Sequence, residues 1–313
     1  MRRLPVIVPA LLLLAPAALA ACSGSDDSAS DDPTIVVAAY PMEFLVERIV
    51  GDHYSVENLT QQGQEPHDVE LTPHQVADVK DADLVVFTEH FQSAVDEAVE
   101  QAGRDADETV DLATVVNLLE ADEEGHDHAE GEEEEGHDHG DVDPHFWLDP
   151  NRMELAADAI ADTLSEVDPD HADEYRANAD ELIGDLQALD AEYDAGLQTC
   201  ERRSIVTSHA AFGYLADTYG LTQIPIAGLE PGQEPSSAQL AEITDLVKSQ
   251  GITTVFNEEL VDPAIAQTVA DATGATMTTL SPIEGLTEET ADQDYLSLMR
   301  ANLDAIREAN GCQ

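Results

Sequence analysis

Three histidines and one glutamate stand where their chemistry could be combined. His67 follows a proline in GQEPHDVELTP, and His145 follows another in DVDPHFWLDP. His209 lies in IVTSHAAFGYLADTYGL and Glu284 in TTLSPIEGLTEE. Each imidazole offers a nitrogen lone pair and the carboxylate offers an anionic oxygen. Together they make a four-coordinate, near-tetrahedral set suited to Zn2+; Mg2+ and Ca2+ would ask for oxygen donors. Taken singly, a histidine beside a proline is more often a hydrogen-bonded structural residue, and only as a set do the four point to a metal. A denser group, His126, His128, His137 and His139, sits in GHDHAEGEEEEGHDHG. Histidines two apart on a flexible chain can chelate, but nothing preorganises them. Ordering such a segment costs roughly 1–2 kcal/mol per residue fixed. It is expected to act as a weak, fast-exchanging accessory metal site; the alternative is a solvated acidic linker.

The elements that must position these residues alternate. Strands are expected at 34–41, 54–59, 84–89 and near 109–116, with helices at 42–51, 72–82 and 93–102 between them. From Asn151 to Gln198 the texture changes to two long helical runs, 150–168, closed by Pro169, and 171–198. The second carries Tyr175, Ala179, Leu182, Leu186, Leu189 and Tyr193 at three- and four-residue steps. Alternation then restarts, with strands at 204–209, 222–228, 252–258 and 275–280 and helices at 210–219, 236–250, 263–273 and 291–309. This pattern predicts an α/β fold: two parallel-sheet lobes joined by a long rigid helix, with a cleft between them. Ligands in such sheets sit beyond the carboxyl ends of strands, which is where the three histidines and Glu284 fall.

The formal net charge is −55, with only two lysines, Lys80 and Lys248. Nucleic acid is excluded as a partner, since phosphate binding needs a basic face. Of the 67 acidic residues 13 lie in 120–143, so the acidity is global. It suits a saline habitat or simply a strongly hydrated surface. At the N-terminus, Arg2 and Arg3 precede an apolar run and small residues, a secretory signal pattern. Its end, Leu19-Ala20-Ala21-Cys22, resembles a bacterial lipobox, which predicts lipidation of Cys22 and an anchor on the outer face of the cell membrane. The remaining cysteines, Cys200 and Cys312, form an even pair in an oxidising compartment. A disulfide is expected; the alternative is two free buried thiols.

The lipobox, EPHDVELTP, DPHFWLDP, TSHAAFGYLADTYGL, EPSSAQLAEI and LSPIEGLTEE resemble the zinc-binding solute-binding lipoproteins of bacterial metal ABC transporters, the cluster with a rigid linking helix. The likeness spans Thr34 to Cys312. It implies two α/β lobes with one metal between them and delivery to a membrane permease. It also implies that His67 and His145 are ligands from the first lobe and His209 the first from the second. Manganese-binding relatives usually carry glutamate at that last place, so histidine favours zinc over Mn2+. Glu284 matches the acidic position of this version of the family; water is the alternative fourth ligand. Zinc members often carry an acidic His-rich loop just before the DPHxWL motif, as here. Glu65 is a further acidic neighbour, whereas Glu230 and Glu258 read as structural.

The expected division is a signal peptide at 1–21, a tether at 22–33, a first lobe at 34–170 with the acidic loop at 120–143, a linking helix at 171–199 and a second lobe at 200–313. The function expected is capture of Zn2+ outside the cell and its delivery to the permease by a monomer. Histidines must be neutral to bind, so affinity should fall below about pH 6. A zinc hydrolase would use a similar ligand set, but the sequence has no H-E-x-x-H and no base beside an open position. A surface adhesin is a third reading, and it would not exclude transport.

Overall fold

The computed structural model describes residues 33–120 and 142–313. The first lobe runs β1 (Thr34–Val37), α1 (Tyr40–Val50), β2 (Ser55–Asn58), α2 (Pro73–Asp81), β3 (Leu84–Phe87), α3 (Ser93–Ala102), β4 (Thr109–Asp111) and α4 (Ala113–Val116). Two short strands, β5 (Leu119–Glu120) and β6 (Val142–Asp143), pair antiparallel on either side of the segment 121–141. A 3-10 turn, Phe146–Leu148, leads into α5 (Pro150–Val167) and α6 (Ala172–Leu197). The second lobe runs β7 (Ser204–Thr207), α7 (Gly213–Tyr219), β8 (Thr222–Pro225), α8 (Ser237–Gln250), β9 (Thr254–Asn257), α9 (Ala264–Thr273), β10 (Thr276–Thr279) and α10 (Tyr295–Asn310).

The sheets have orders β2-β1-β3-β4 and β10-β9-β7-β8, with every pairing parallel. Read from its own first strand, each lobe has the same topology. Each therefore has one switch point, between β1 and β3 or between β7 and β9, where side chains are delivered beyond the strand ends.

Most strands are shorter than sequence reading suggests. The run at 34–41 stops at Val37, because Pro41 falls in the first turn of α1, where a missing N–H is harmless. Side-chain caps mark four other helix starts. Thr72, Ser236 and Asp294 each close a capping box, and Asp149 accepts from Asn151 N–H ahead of Pro150.

Alternate residues of a strand face opposite sides. Val36 and Val85 join a small outer cluster with Val79 and Val95, and Val206 and Val255 join another with Ile243 and Val269. The remaining faces meet in one continuous core. It includes Val37, Leu45, Trp147, Leu186, Ile205, Phe256, Tyr295 and Met299, so it belongs to both lobes at once.

Helix α6, at 26 residues about 39 Å long, buries one stripe from Tyr175 to Leu197 in that core and packs on α1, α5 and α10. Arg48 on α1 reaches Asp185, and Arg300 on α10 reaches Glu192, both at 2.8 Å. A disulfide joins Cys200 to Cys312 and ties the end of α10 to the start of the second lobe. Residues Pro33–Gln313 thus form one compact unit. Among the described residues no helix is long and apolar enough to cross a membrane.

Candidate metal centre

Four segments converge at the seam between the lobes. The loop after β2 brings His67, and the turn after β6 brings His145. The end of β7 brings His209, and the loop after β10 brings Glu284. One ligand atom from each lies within 4.8 Å of all the others. The side chains of the four are at most 2% exposed.

The separations are specific. His67 Nε2 and His209 Nε2 lie 3.2 and 3.4 Å from His145 Nε2. Glu284 Oε1 lies 3.1, 3.2 and 3.6 Å from the Nε2 atoms of His145, His209 and His67. A tetrahedron with ligands about 2.0–2.1 Å from its centre has edges of roughly 3.3 Å. These five distances bracket that value. Oε1 of Glu284 is buried and makes no hydrogen bond of acceptable geometry. Such an oxygen is placed for a cation at the centre of the group.

Each element carries its ligand for a local reason. In DVDPHFWLDP, Asp143 Oδ1 accepts from the backbone N–H of His145 at 2.9 Å and from its Nδ1 at 2.7 Å. Trp147, fully buried, donates its indole N–H to the carbonyl of Pro282 at 2.8 Å, and Tyr295 donates its hydroxyl to the carbonyl of Trp147. This motif therefore supplies a candidate ligand, its orienting carboxylate, a bolt to the other lobe and the cap of α5. Glu258, just past β9, does for His209 what Asp143 does for His145. It accepts from His209 N–H at 3.1 Å and from Nδ1 at 2.6 Å. An ionised carboxylate only accepts, so Nδ1 of both rings carries a proton and Nε2 faces the centre.

Glu284 is turned inward by Ile283, whose φ of +57° is costly for a β-branched residue. The buried Ile283 side chain and a two-way hydrogen bond between Asn302 and the backbone of Ser281 hold that turn. Glu65 accepts from the backbone N–H groups of His67 and Asp68, so both its oxygens serve the turn that carries His67.

Charge at the site is concentrated. Burial opposes protonation of His145, yet the hydrogen bond to Asp143 and the neighbouring Glu284 carboxylate outweigh burial and raise its pKa. Burial likewise opposes protonation of His209, and the charges of Glu258 and Glu284 raise it well above the ordinary histidine value. For Glu284 burial alone would raise the carboxyl. The charge of His209 and the adjoining His145 and His67 hold it well below the usual range.

The structure brings His67, His145, His209 and Glu284 together. Glu230 stays at the rim, half exposed, with an oxygen 3.8 Å from His67 Nδ1. Glu258 is no bystander: its carboxylate is buried against His209. Sequence reasoning passes over Asp143, although a carboxylate two residues ahead of a candidate ligand is a usable signal. Cys22, His126, His128, His137 and His139 lie outside the described residues.

Two like-wound α/β lobes closed over a buried imidazole–carboxylate centre define a solute-binding protein of the metal-binding type. The chain belongs to the family described as zinc-uptake complex component A, periplasmic, whose model matches residues 35–309. It is a family of solute-binding proteins and not of enzymes. The chain is 36% identical over 278 residues to the high-affinity zinc uptake system protein ZnuA of Bacillus subtilis, covering 88% of this chain and 86% of that one. It is 38% identical to the zinc-binding lipoprotein AdcA of Streptococcus pneumoniae; 88% of this chain matches, but it spans only 55% of that relative. The crystal structure of the Zn(II)-bound ZnuA-like domain of the same AdcA superposes with a TM-score of 0.73 at 34% identity, covering 89% of this chain and 99% of that domain.

Proposed function

We propose that this protein captures Zn2+ outside the cytoplasm and hands it to an ABC-type permease. The observation that carries the reading is the tetrahedral spacing of three Nε2 atoms and one carboxylate oxygen in a buried seam. His67, His145, His209 and Glu284 are the ligands in this reading. Soft-to-borderline nitrogen donors in a closed four-ligand set select zinc over the oxygen-seeking cations, and over manganese. The zinc-uptake names of the family and its relatives support the same metal.

The chemistry follows from the site. Arriving zinc exchanges water for three imidazoles and the Glu284 carboxylate, and a proton on any Nε2 has to leave before that nitrogen can bind. Asp143 and Glu258 keep the rings in the tautomer that presents Nε2. Because those imidazoles hold protons more tightly than free histidine, proton competition begins at a higher pH than for an isolated imidazole. A core shared by both lobes resists wide opening, so release to the permease proceeds through small loop and lobe shifts.

The remaining parts take their places around that centre. Residues 1–21 serve as a signal peptide, Cys22 carries the lipid that holds the protein at the outer face of the membrane, and 22–33 is the tether. The first lobe spans 34–170, the linking helix 171–199 and the second lobe 200–313. The chain works as a monomer. The loop histidines His126, His128, His137 and His139 gather or sense metal without being part of the tight site.

Metal analysis of mature protein purified from mixed-metal medium tests the reading. One tightly held zinc per chain is expected, and it should survive deletion of 125–140. Manganese in place of zinc, or loss of the tight site on that deletion, would overturn it.

A further inference from the structure

Of the three histidines, His67 alone has no buried carboxylate behind its ring. Its Nδ1 faces only the half-exposed Glu230, at 3.8 Å. Glu65 holds the backbone of its turn, and a relay of neutral groups holds the segment from the other side. Gln92, at the start of α3, is 1% exposed. Its Nε2 donates to Thr60 Oγ1 at 2.8 Å and to the carbonyl of Pro66, the residue directly before His67, at 3.1 Å. Thr60 Oγ1 donates in turn to the carbonyl of Ala38 at 2.7 Å, just beyond β1. His90, with φ of +73°, turns the chain between β3 and α3, and Phe91 and Gln92 follow it buried. The ring of Phe91 then meets that of His67 edge-on, 4.9 Å between centroids.

The relay spans the loop: Thr60 fixes its start, Pro66 its end, and Gln92 bridges the two. The bridge carries a cost. Oε1 of Gln92 is buried with no hydrogen-bond partner, an arrangement that destabilises a core. An amide retained on those terms serves through its two N–H donors.

We propose that Gln92 and Thr60 are positioning residues for His67, a hydrogen-bonded clamp that does for this ligand what a carboxylate behind the ring does for the other two histidines. The proposal rests on the zinc reading above.

Gln92→Met and Thr60→Val keep shape while removing the donors and the hydroxyl; Thr60→Ser keeps the hydroxyl. Zinc affinity by chelator competition, zinc dissociation rate and the visible spectrum of the Co2+-loaded protein are measured on each. Gln92→Met and Thr60→Val should bind zinc tenfold or more weakly and release it faster. Their cobalt spectra should lose intensity as water replaces one imidazole, and Thr60→Ser should restore the parental values. Parental affinity and spectrum in both apolar variants would overturn the proposal. So would a Thr60→Ser variant as impaired as Thr60→Val, because packing and not the hydroxyl would then matter. A variant that melts without metal is judged on dissociation from its loaded form. A parent protein that fails to bind zinc tightly would instead sink the zinc reading.

Discussion

Replacing Glu258 by glutamine separates the charge behind His209 from its shape. Glu258 and His209 bury their side chains to about 1% exposure, and the carboxylate accepts from two donors, the backbone N–H and Nδ1–H of His209. Glutamine has one acceptor oxygen and one amino group. If its oxygen takes the backbone N–H, its NH2 faces Nδ1 and favours the tautomer with the proton on Nε2, where the metal must bind. If its oxygen takes Nδ1–H, two backbone-side donors face each other. The first arrangement puts a proton where the metal must bind, and the second leaves one buried donor without a partner, which costs about 1–3 kcal/mol. Loss of an orienting carboxylate typically lowers metal affinity 10–100-fold, or about 1.4–2.7 kcal/mol. Competition against a fluorescent zinc chelator at neutral pH should show a drop of that size, with metal-free folding retained by circular dichroism. Zinc affinity within twofold of the parent, with an unchanged Co2+ spectrum, would refute the reasoning. His209 would then be held by the sheet alone.

Other perturbations test other parts of the frame. A Cβ on Gly213 would lie 2.6 Å from Asp143 Oδ2, so Gly213→Ala should displace that carboxylate from His145 and weaken zinc binding about tenfold; an unchanged titration would show that Asp143 has room to yield. Burial pushes Asp96 up to about 6 against the opposing bond from His90 N–H. The native state therefore binds the extra proton between about pH 4 and pH 6, and stability falls as pH rises through that window. Asp96→Asn should raise stability near pH 8 by ~1 kcal/mol after solvent screening, with the difference vanishing at acid pH in urea titrations; a destabilised variant at pH 8 would contradict this. The Cys200–Cys312 bond spans 112 residues, and a double serine variant should lose about 2–5 kcal/mol by the same titration.

How far the sequence disclosed this centre depends on the residue. His67, His145 and His209 could be singled out because each follows a strand or a proline turn, and a parallel sheet delivers such residues to one edge. Glu258 could not be placed with them. It lies 49 residues beyond His209, and only the adjacency of β7 and β9 in the second sheet sets the two side by side. The inward aim of Glu284 depends on the left-handed backbone of Ile283, which no propensity of isoleucine forecasts. Strands look longer in the sequence than they are for a simpler reason. Runs such as TIVVAAYP are apolar throughout, since Ala38, Ala39, Tyr40 and Pro41 are buried as turn and helix. Hydropathy cannot mark where extended backbone stops. The shared core also escaped, because periodicity reports which face of an element is buried but not against which partner.

The indole that bolts the two lobes together is the only tryptophan in the chain. Its ring lies 5.2 Å from that of His145 and 4.9 Å from that of Phe91, inside the wall of the metal centre. Excited beyond the absorption of the seven tyrosines, ultraviolet emission from this protein therefore comes from one place, beside a ring that metal binding would polarise. The molecule carries its own optical probe of occupancy, and filling, emptying and transfer can be followed in real time without a dye.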